Sequence, residues 1–180
     1  MSTLTIESRV ASAVRRIPDF PKKGIEFIDV TRIFLDVQLT QDLVEQFAKA
    51  AKEVNVTAIA ALETRGFYLG LLIAQRLKVP FIPIRKRARL PNSTAIHSTY
   101  DLEYGSSTLE FTKEDLPEDS KIMIHDDLLA TGSTAAAAAR LLQNAGAEIT
   151  MFSFIGHIED LNGAEHISSF TENIFTITDL

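Results

Sequence analysis

The chain has 180 residues, of which 46% are hydrophobic and 23% charged, with a formal net charge of −6 and a pI near 5.2. That length suits one domain with a substantial core, and the composition is that of a folded globular protein rather than a disordered one. The acidic balance argues against a nucleic acid partner, whose phosphates need a surplus of Lys and Arg, and the lack of cysteine excludes disulfides, thiolate catalysis and Cys-based zinc sites.

No apolar run approaches the roughly 20 residues of a membrane helix, and "MSTLTIESRVASAVRRIPDF" lacks the pattern of a signal peptide. The expectation is a single cytoplasmic domain over residues 1–180 with no membrane contact. An N-terminal helix is predicted to about Arg16, followed by an ordered loop or short strand in "IPDFPKKGIEFIDVT", punctuated by Pro18, Pro21 and Gly24. Leu43, Val44, Phe47 and Ala51 lie at helical spacing behind a Thr40 cap. "VTAIAAL" reads as a buried strand, "FYLGLLIAQRLK" as a helix and "VPFIPIR" as a strand; "KRARLPNSTAIHS" reads as a polar loop. "TYDLEYGSSTLEF" predicts two antiparallel strands turning at Gly105 and Ser106. "KIMIHD" is then a strand, "STAAAAARLLQNA" a helix stopped by Gly146, and "EITMFSFIG" another strand. Strands alternating with helices imply an α/β fold, its mostly parallel sheet flanked by helices. Ligands bind such sheets beyond the carboxyl ends of the strands.

The most unusual chemistry falls at such an end. Asp126 and Asp127 stand where the strand "KIMIH" is expected to run out, and Ala130, Thr131, Gly132, Ser133 and Thr134 lead into a helix. Small side chains let an anion approach the backbone, and a helix start offers unpaired N–H groups. Carboxylates beside a phosphate cradle can accept hydrogen bonds from sugar hydroxyls, so a phosphorylated ribose matches both features. "TGST" alone also serves as an ordinary helix cap. It is not a dinucleotide fingerprint or a P-loop, because the required glycines and lysine are missing. A metal triad of His125, Asp126 and Asp127 is disfavoured, since consecutive strand residues face opposite ways. A bulky residue at Gly132 is expected to block the anion while sparing the fold.

The block "IMIHDDLLATGST" resembles the phosphoribosyl pyrophosphate signature of the type I phosphoribosyltransferases, in the form found in members that use adenine. Four further blocks match that family in order. "IPDFPKKGIEFIDVT" is similar to its N-terminal hood, within a subregion of about residues 1–35, and "LETRGF" to its pyrophosphate loop. "PIRKRARLP" resembles the start of its mobile loop, and "YDLEYGSSTLEF" the segment carrying its acidic residue. The resemblance implies the family's fold, with a central sheet, a small hood and a mobile antiparallel loop. It also implies Mg²⁺-dependent transfer of a phosphoribosyl group to N9 of adenine, giving AMP and pyrophosphate in purine salvage.

Carried over by position, Ala130 to Thr134 would bind the 5′-phosphate, and Asp126 and Asp127 the ribose hydroxyls. Mg²⁺ would be held near those acids, mainly through substrate oxygens. Arg65 would contact the pyrophosphate, next to a peptide at Glu63–Thr64 that is often strained in the family. Arg85 and Lys86, followed by Arg87 and Arg89, would clamp the leaving group. Arg85 would do so in the neighbouring subunit of a homodimer. Phe27 would stack on the purine while the Glu26 backbone reads its edge. Glu103 would handle the purine proton, with Tyr104 supporting the closed loop. The residues also carry plainer readings: Arg65 in a surface ion pair, Phe27 in a core, Glu103 as an exposed strand acid, and the basic run as a solvated face.

The chain departs from the family at Ile28, where Arg or Lys is common, at Arg89 and Asn92 in the mobile loop, and at Ser133 in the cradle. His157 and Ala164 stand where Glu and Arg are usual. Two alternatives follow: a transferase for another purine, or a regulator that binds phosphoribosyl pyrophosphate without turnover. The second is disfavoured by the acidic charge and the lack of sequence for a DNA-binding domain.

Overall fold

The computed structural model describes residues 4–86, 95–102 and 105–180. Helix α1 (Ile6–Ala13) starts at Thr5, whose hydroxyl accepts from the Ser8 N–H. It ends before Arg16, because Arg15–Ile17 forms strand β1, antiparallel to β2 (Phe27–Asp29). The Asp29 carboxylate draws Arg15 out of the helix: it forms an ion pair with Arg15 and accepts from the Thr31 N–H at 2.9 Å. A 3₁₀ turn (Thr31–Leu35) then leads to α2 (Val37–Glu53). The cap of α2 is Asp36 rather than Thr40, with the Asp36 carboxylate accepting from the Leu39 N–H at 2.9 Å. Thr40 lies inside the helix, its hydroxyl bonded back to the Asp36 carbonyl.

The remaining elements are β3 (Ala58–Leu62), α3 (Gly66–Leu77), β4 (Phe81–Lys86), β5 (Ala95–Leu102) and β6 (Gly105–Thr112). They are followed by β7 (Lys121–Leu129), α4 (Ser133–Asn144), β8 (Glu148–His157), α5 (Gly163–Ile167) and β9 (Ile174–Asp179). Seven strands form one sheet in the order β5-β6-β4-β3-β7-β8-β9. From β4 to β9 every pairing is parallel; β6 joins β4 antiparallel, and β5 joins β6. The β5–β6 register pairs Leu102 with Gly105, so Gly105 and Ser106 are strand residues and not the turn. Strand β5 also takes in residues 95–98, which read as loop from their polarity.

The sheet is buried on both faces. On one, α4 lays Ala135 to Ala139, Leu141 and Leu142 against Ile122, Ile124, Phe152 and Phe154. Alanine combines high helix propensity with a small side chain, so the helix axis comes close to the sheet. On the other face α2 and α3 bring Leu43, Phe47, Leu69 and Ile73 against Ile59, Met123 and Met151. Ile28 belongs to this second core and is 6% exposed, so the residue at that hood position points into the protein. Among the described residues no helix is long and apolar enough to cross a membrane.

Candidate active site

Strand β7 runs through Asp126 and Asp127 to Leu129, three residues beyond the expected end. Its alternation sends consecutive side chains to opposite faces. His125 lies in the core, fully buried, with its ring edge-on to Phe47 and Nδ1 2.9 Å from the Ser153 hydroxyl. Burial lowers its pKa to about 3, so it is a neutral packing residue. Asp127 reaches toward α3 and forms an ion pair with Arg65. Asp126 lines a cavity of about 70 Å³ with Ala130, Thr131, Gly132, Ser133 and Thr134. Burial, and then the neighbouring Asp127 carboxylate, push the Asp126 carboxyl well above the usual carboxylate range. A ligand that donates hydrogen bonds or brings a cation would reverse that cost.

The cradle geometry follows from Gly132, which caps α4 in the left-handed region at φ 75°. A cap residue without a side chain gives the first turn no acceptor of its own, so the Ser133 N–H meets the Thr131 hydroxyl at 3.4 Å, and the helix dipole favours an anion there. The Thr131 hydroxyl lies 3.2 Å from that of Ser133. A Cβ at position 132 would meet the Gly163 carbonyl at 2.7 Å and the Ile167 side chain at 3.1 Å. A bulky residue there would therefore disturb the packing of α5 as well as the anion site, so the expectation that it spares the fold does not hold.

Arg65 is brought to Asp127 by close packing of α3. A Cβ on Gly66 would lie 2.8 Å from the His125 carbonyl and 3.0 Å from the Asp126 carboxylate; one on Gly70 would lie 2.5 Å from the Ala61 Cβ. Two glycines one helical turn apart let the helix start settle onto β7 and β3. These glycines went unread in the sequence, although their spacing of four was the available signal. The Glu63–Thr64 peptide, just before Arg65, is cis. The Glu63 carboxylate accepts from the Lys86 N–H at 2.7 Å, tying this loop to the end of β4.

The Arg65 guanidinium also lies 5.1 Å from the centre of the Phe27 ring, and Phe20 meets that ring edge-on. The hood residue Phe27 thus stands beside the arginine and carboxylate pair, half-buried rather than enclosed in the core. The Glu26 side chain is exposed and bonded to Arg16. Arg85 packs its guanidinium 5.6 Å from the Phe67 ring in the first turn of α3. Glu103, Tyr104, Arg87, Arg89 and Asn92 lie outside the described residues. Among the described residues no three His, Asp or Glu side chains are grouped to hold a metal ion. The adjacent Asp126 and Asp127 are hard oxygen donors, which suit Mg²⁺ when substrate and water complete its shell.

The phosphoribosyl transferase domain model matches residues 34–177. Adenine phosphoribosyltransferase from Christiangramia forsetii is 38% identical over 159 residues, 88% of this chain and 92% of that protein. The Trichormus variabilis adenine phosphoribosyltransferase is 42% identical, over 87% and 91%. Among solved structures, adenine phosphoribosyltransferase from Thermoanaerobacter pseudethanolicus superposes with a TM-score of 0.91 at 36% identity, covering 98% of this chain and all of the other. The Giardia lamblia enzyme, solved with 9-deazaadenine, gives 0.91 at 31% identity, covering 99% of each chain. This chain belongs to the phosphoribosyltransferase family.

Proposed function

We propose that the chain catalyses Mg²⁺-dependent transfer of the 5-phosphoribosyl group from phosphoribosyl pyrophosphate to N9 of adenine. The products are AMP and pyrophosphate, the adenine phosphoribosyltransferase reaction of purine salvage. The observation that carries this reading is the meeting of three groups at the carboxyl end of β7: the Asp126–Asp127 pair, the small-residue cradle and Arg65. Relatives and neighbours named for this activity over most of their length supply its base.

The cradle from Ala130 to Thr134 anchors the 5′-phosphate, which fixes ribose C1 relative to Asp126 and Asp127. These two acids accept from the ribose hydroxyls and, with substrate oxygens, would hold Mg²⁺. When bound, the ion supplies counter-charge to the departing pyrophosphate. Arg65, Arg85 and Lys86 offset the same charge as the bond from C1 to the pyrophosphate oxygen breaks and its electron pair leaves with that oxygen. Phe27 stacks on the purine and the Glu26 backbone reads its edge. The N9 lone pair forms the new bond to C1, and Glu103 takes the N9 proton. Tyr104 supports closure of the β5–β6 hairpin over the site, which excludes water from an activated sugar.

The working unit in this reading is a cytoplasmic homodimer of one-domain chains, in which Arg85 serves the partner's site. Exposed apolar side chains on adjoining elements support it: Leu35 at the end of the 3₁₀ turn, Val37 at the start of α2, and Tyr68, Leu71 and Leu72 on α3. Phe34 and Tyr68 meet edge-on and join the two groups.

Incubation with phosphoribosyl pyrophosphate, Mg²⁺ and each purine in turn, with nucleotides resolved by chromatography, tests the activity. AMP from adenine is expected. Equal or better turnover of hypoxanthine or guanine overturns the base assignment, and no turnover of any base favours the regulator.

A further inference from the structure

A phosphate cradle works only if its N–H groups face the anion and its carbonyls face away, since an inward carbonyl repels an oxyanion. In this chain the carbonyls of Leu129, Ala130 and Thr131 meet the segment after β8. The Ile158 N–H donates to the Leu129 carbonyl at 2.9 Å. Gly163 packs directly on the Ala130 carbonyl, where a Cβ would clash. The Gly132 carbonyl accepts from the Ala136 N–H at 2.8 Å, inside α4. The Thr131 carbonyl, within the cradle segment, lies 2.9 Å from Nδ1 of His166.

His166 is on α5, which Ile167 anchors in the core on the next residue. Thr131 lines the cavity and His166 does not, so His166 acts on the cradle through this bond to its backbone. A carbonyl can only accept, which requires the proton on Nδ1. We propose that His166 is a positioning residue for 5′-phosphate recognition: by donating to the Thr131 carbonyl it fixes the peptide plane between Thr131 and Gly132. The Gly132 N–H lies in that same plane and points the opposite way from the Thr131 carbonyl, so fixing one aims the other. His166 touches neither the sugar nor the base. This inference rests on the reading of the cradle as the 5′-phosphate site.

The test compares His166→Ala with His166→Asn, whose amide nitrogen occupies nearly the place of Nδ1 and can donate in the same direction. Ribose 5-phosphate and pyrophosphate are titrated separately by calorimetry, and the KM for phosphoribosyl pyrophosphate, the KM for adenine and kcat are measured. Loss of one exposed hydrogen bond should weaken ribose 5-phosphate binding and raise the phosphoribosyl pyrophosphate KM roughly two- to tenfold in His166→Ala. Pyrophosphate binding, adenine KM and kcat should stay within about twofold, and His166→Asn should recover most of the loss. Unchanged ribose 5-phosphate binding in His166→Ala overturns the proposal. So does parallel weakening of pyrophosphate and ribose 5-phosphate together with a lowered Tm, because that is a loss of general structure. Failure of the unsubstituted protein to bind ribose 5-phosphate at all removes the functional reading, and this inference with it.

Discussion

Asp126, Asp127 and the cradle stand on β7 and α4, central elements whose neighbours are buried on both sides of the sheet, whereas Phe27 stands on a three-residue strand paired to another three-residue strand. The first region is held by the main core, and its chemistry lies within nine consecutive residues from Asp126 to Thr134. The second is held by side chains: the Arg15–Asp29 ion pair, Ile28 in the second core, and the Arg65 guanidinium over the Phe27 ring. The difference suits the two ligands of the proposed reaction. A phosphate needs several fixed donors at once, which only rigid backbone provides, while a flat base needs one apolar face. Arg65 is the joint between the regions, bonded to Asp127 on one side and stacked on Phe27 on the other.

The largest effect is expected at Glu103, because in the proposed reaction its proton transfer belongs to the chemical step alone. Glu103→Gln keeps the size and removes the basicity, so kcat should fall roughly 10²–10⁴-fold. Phosphoribosyl pyrophosphate affinity should hardly change. A raised adenine KM with kcat preserved would make Glu103 a uniform-binding residue instead.

Arg65→Ala tests the joint. Removing one charge that faces the leaving group should lower kcat/KM by roughly 10²–10³-fold. It also leaves Asp127 buried beside Asp126 without its cation, with a stability loss of up to about 3 kcal/mol, since Arg65 itself is one-third exposed. Arg65→Lys should restore part of the stability and little of the rate, because an ammonium lacks the planar fork. Equal rates in all three proteins would detach Arg65 from the chemistry and leave it a structural ion pair.

The two regions also differed in how far the sequence exposed them. The cradle could be read because its acids, hydroxyls and glycine are contiguous, so its chemistry needs no knowledge of the fold. The Arg65–Asp127 pair could not, because it depends on Gly66 and Gly70 letting α3 approach strands far away in sequence. Local patterns failed where a distant partner decided the outcome. Arg15 leaves the helical pattern for Asp29, and two acids that look like a strand end are carried inside β7 by pairing with β8. Asp36 and Thr40 are both good caps, and the bond that Asp36 makes to the Leu39 N–H settled between them. Beyond β8 the chain carries no motif, so α5 and β9 were not anticipated.

Phe27→Ala probes the hood alone. Losing one base-stacking face should raise the adenine KM roughly tenfold, in line with about 1–3 kcal/mol for a stacked base. The KM for phosphoribosyl pyrophosphate should stay within about twofold. If both KM values rise together, Phe27 supports the sugar-phosphate site through Arg65, and the two regions are less separate than their foundations suggest.

The smallest effect separates the regions by pH. His125, beneath the sugar site, titrates near 3 when folded and near 6.5 when unfolded, so below pH 6.5 the unfolded chain binds a proton that the folded chain refuses. Stability is full above 6.5 and falls as pH drops from 6.5 toward 3, by roughly 1.4 kcal/mol per pH unit for one proton. Asp29 in the hood is held at about 2 by the Thr31 hydroxyl and N–H and by Arg15, against 3.8 ordinarily. Its contribution is present above 3.8 and is lost only as pH falls toward 2. The His125 loss therefore begins before that of Asp29, while Asp126, its carboxyl raised by burial and by Asp127, opposes it by gaining stability as pH falls toward 3.8. Urea unfolding between pH 7 and pH 4 checks the order. The paired substitution His125→Leu with Ser153→Ala removes both hydrogen-bond partners and should remove the His125 share of the slope below pH 6.5, leaving the opposing share of Asp126, whereas Asp29→Asn should lower stability by about the same amount across that range. A slope left unchanged by the paired substitution would mean that the folded protein admits the His125 proton, and that this part of the sheet is less tightly closed than its packing indicates.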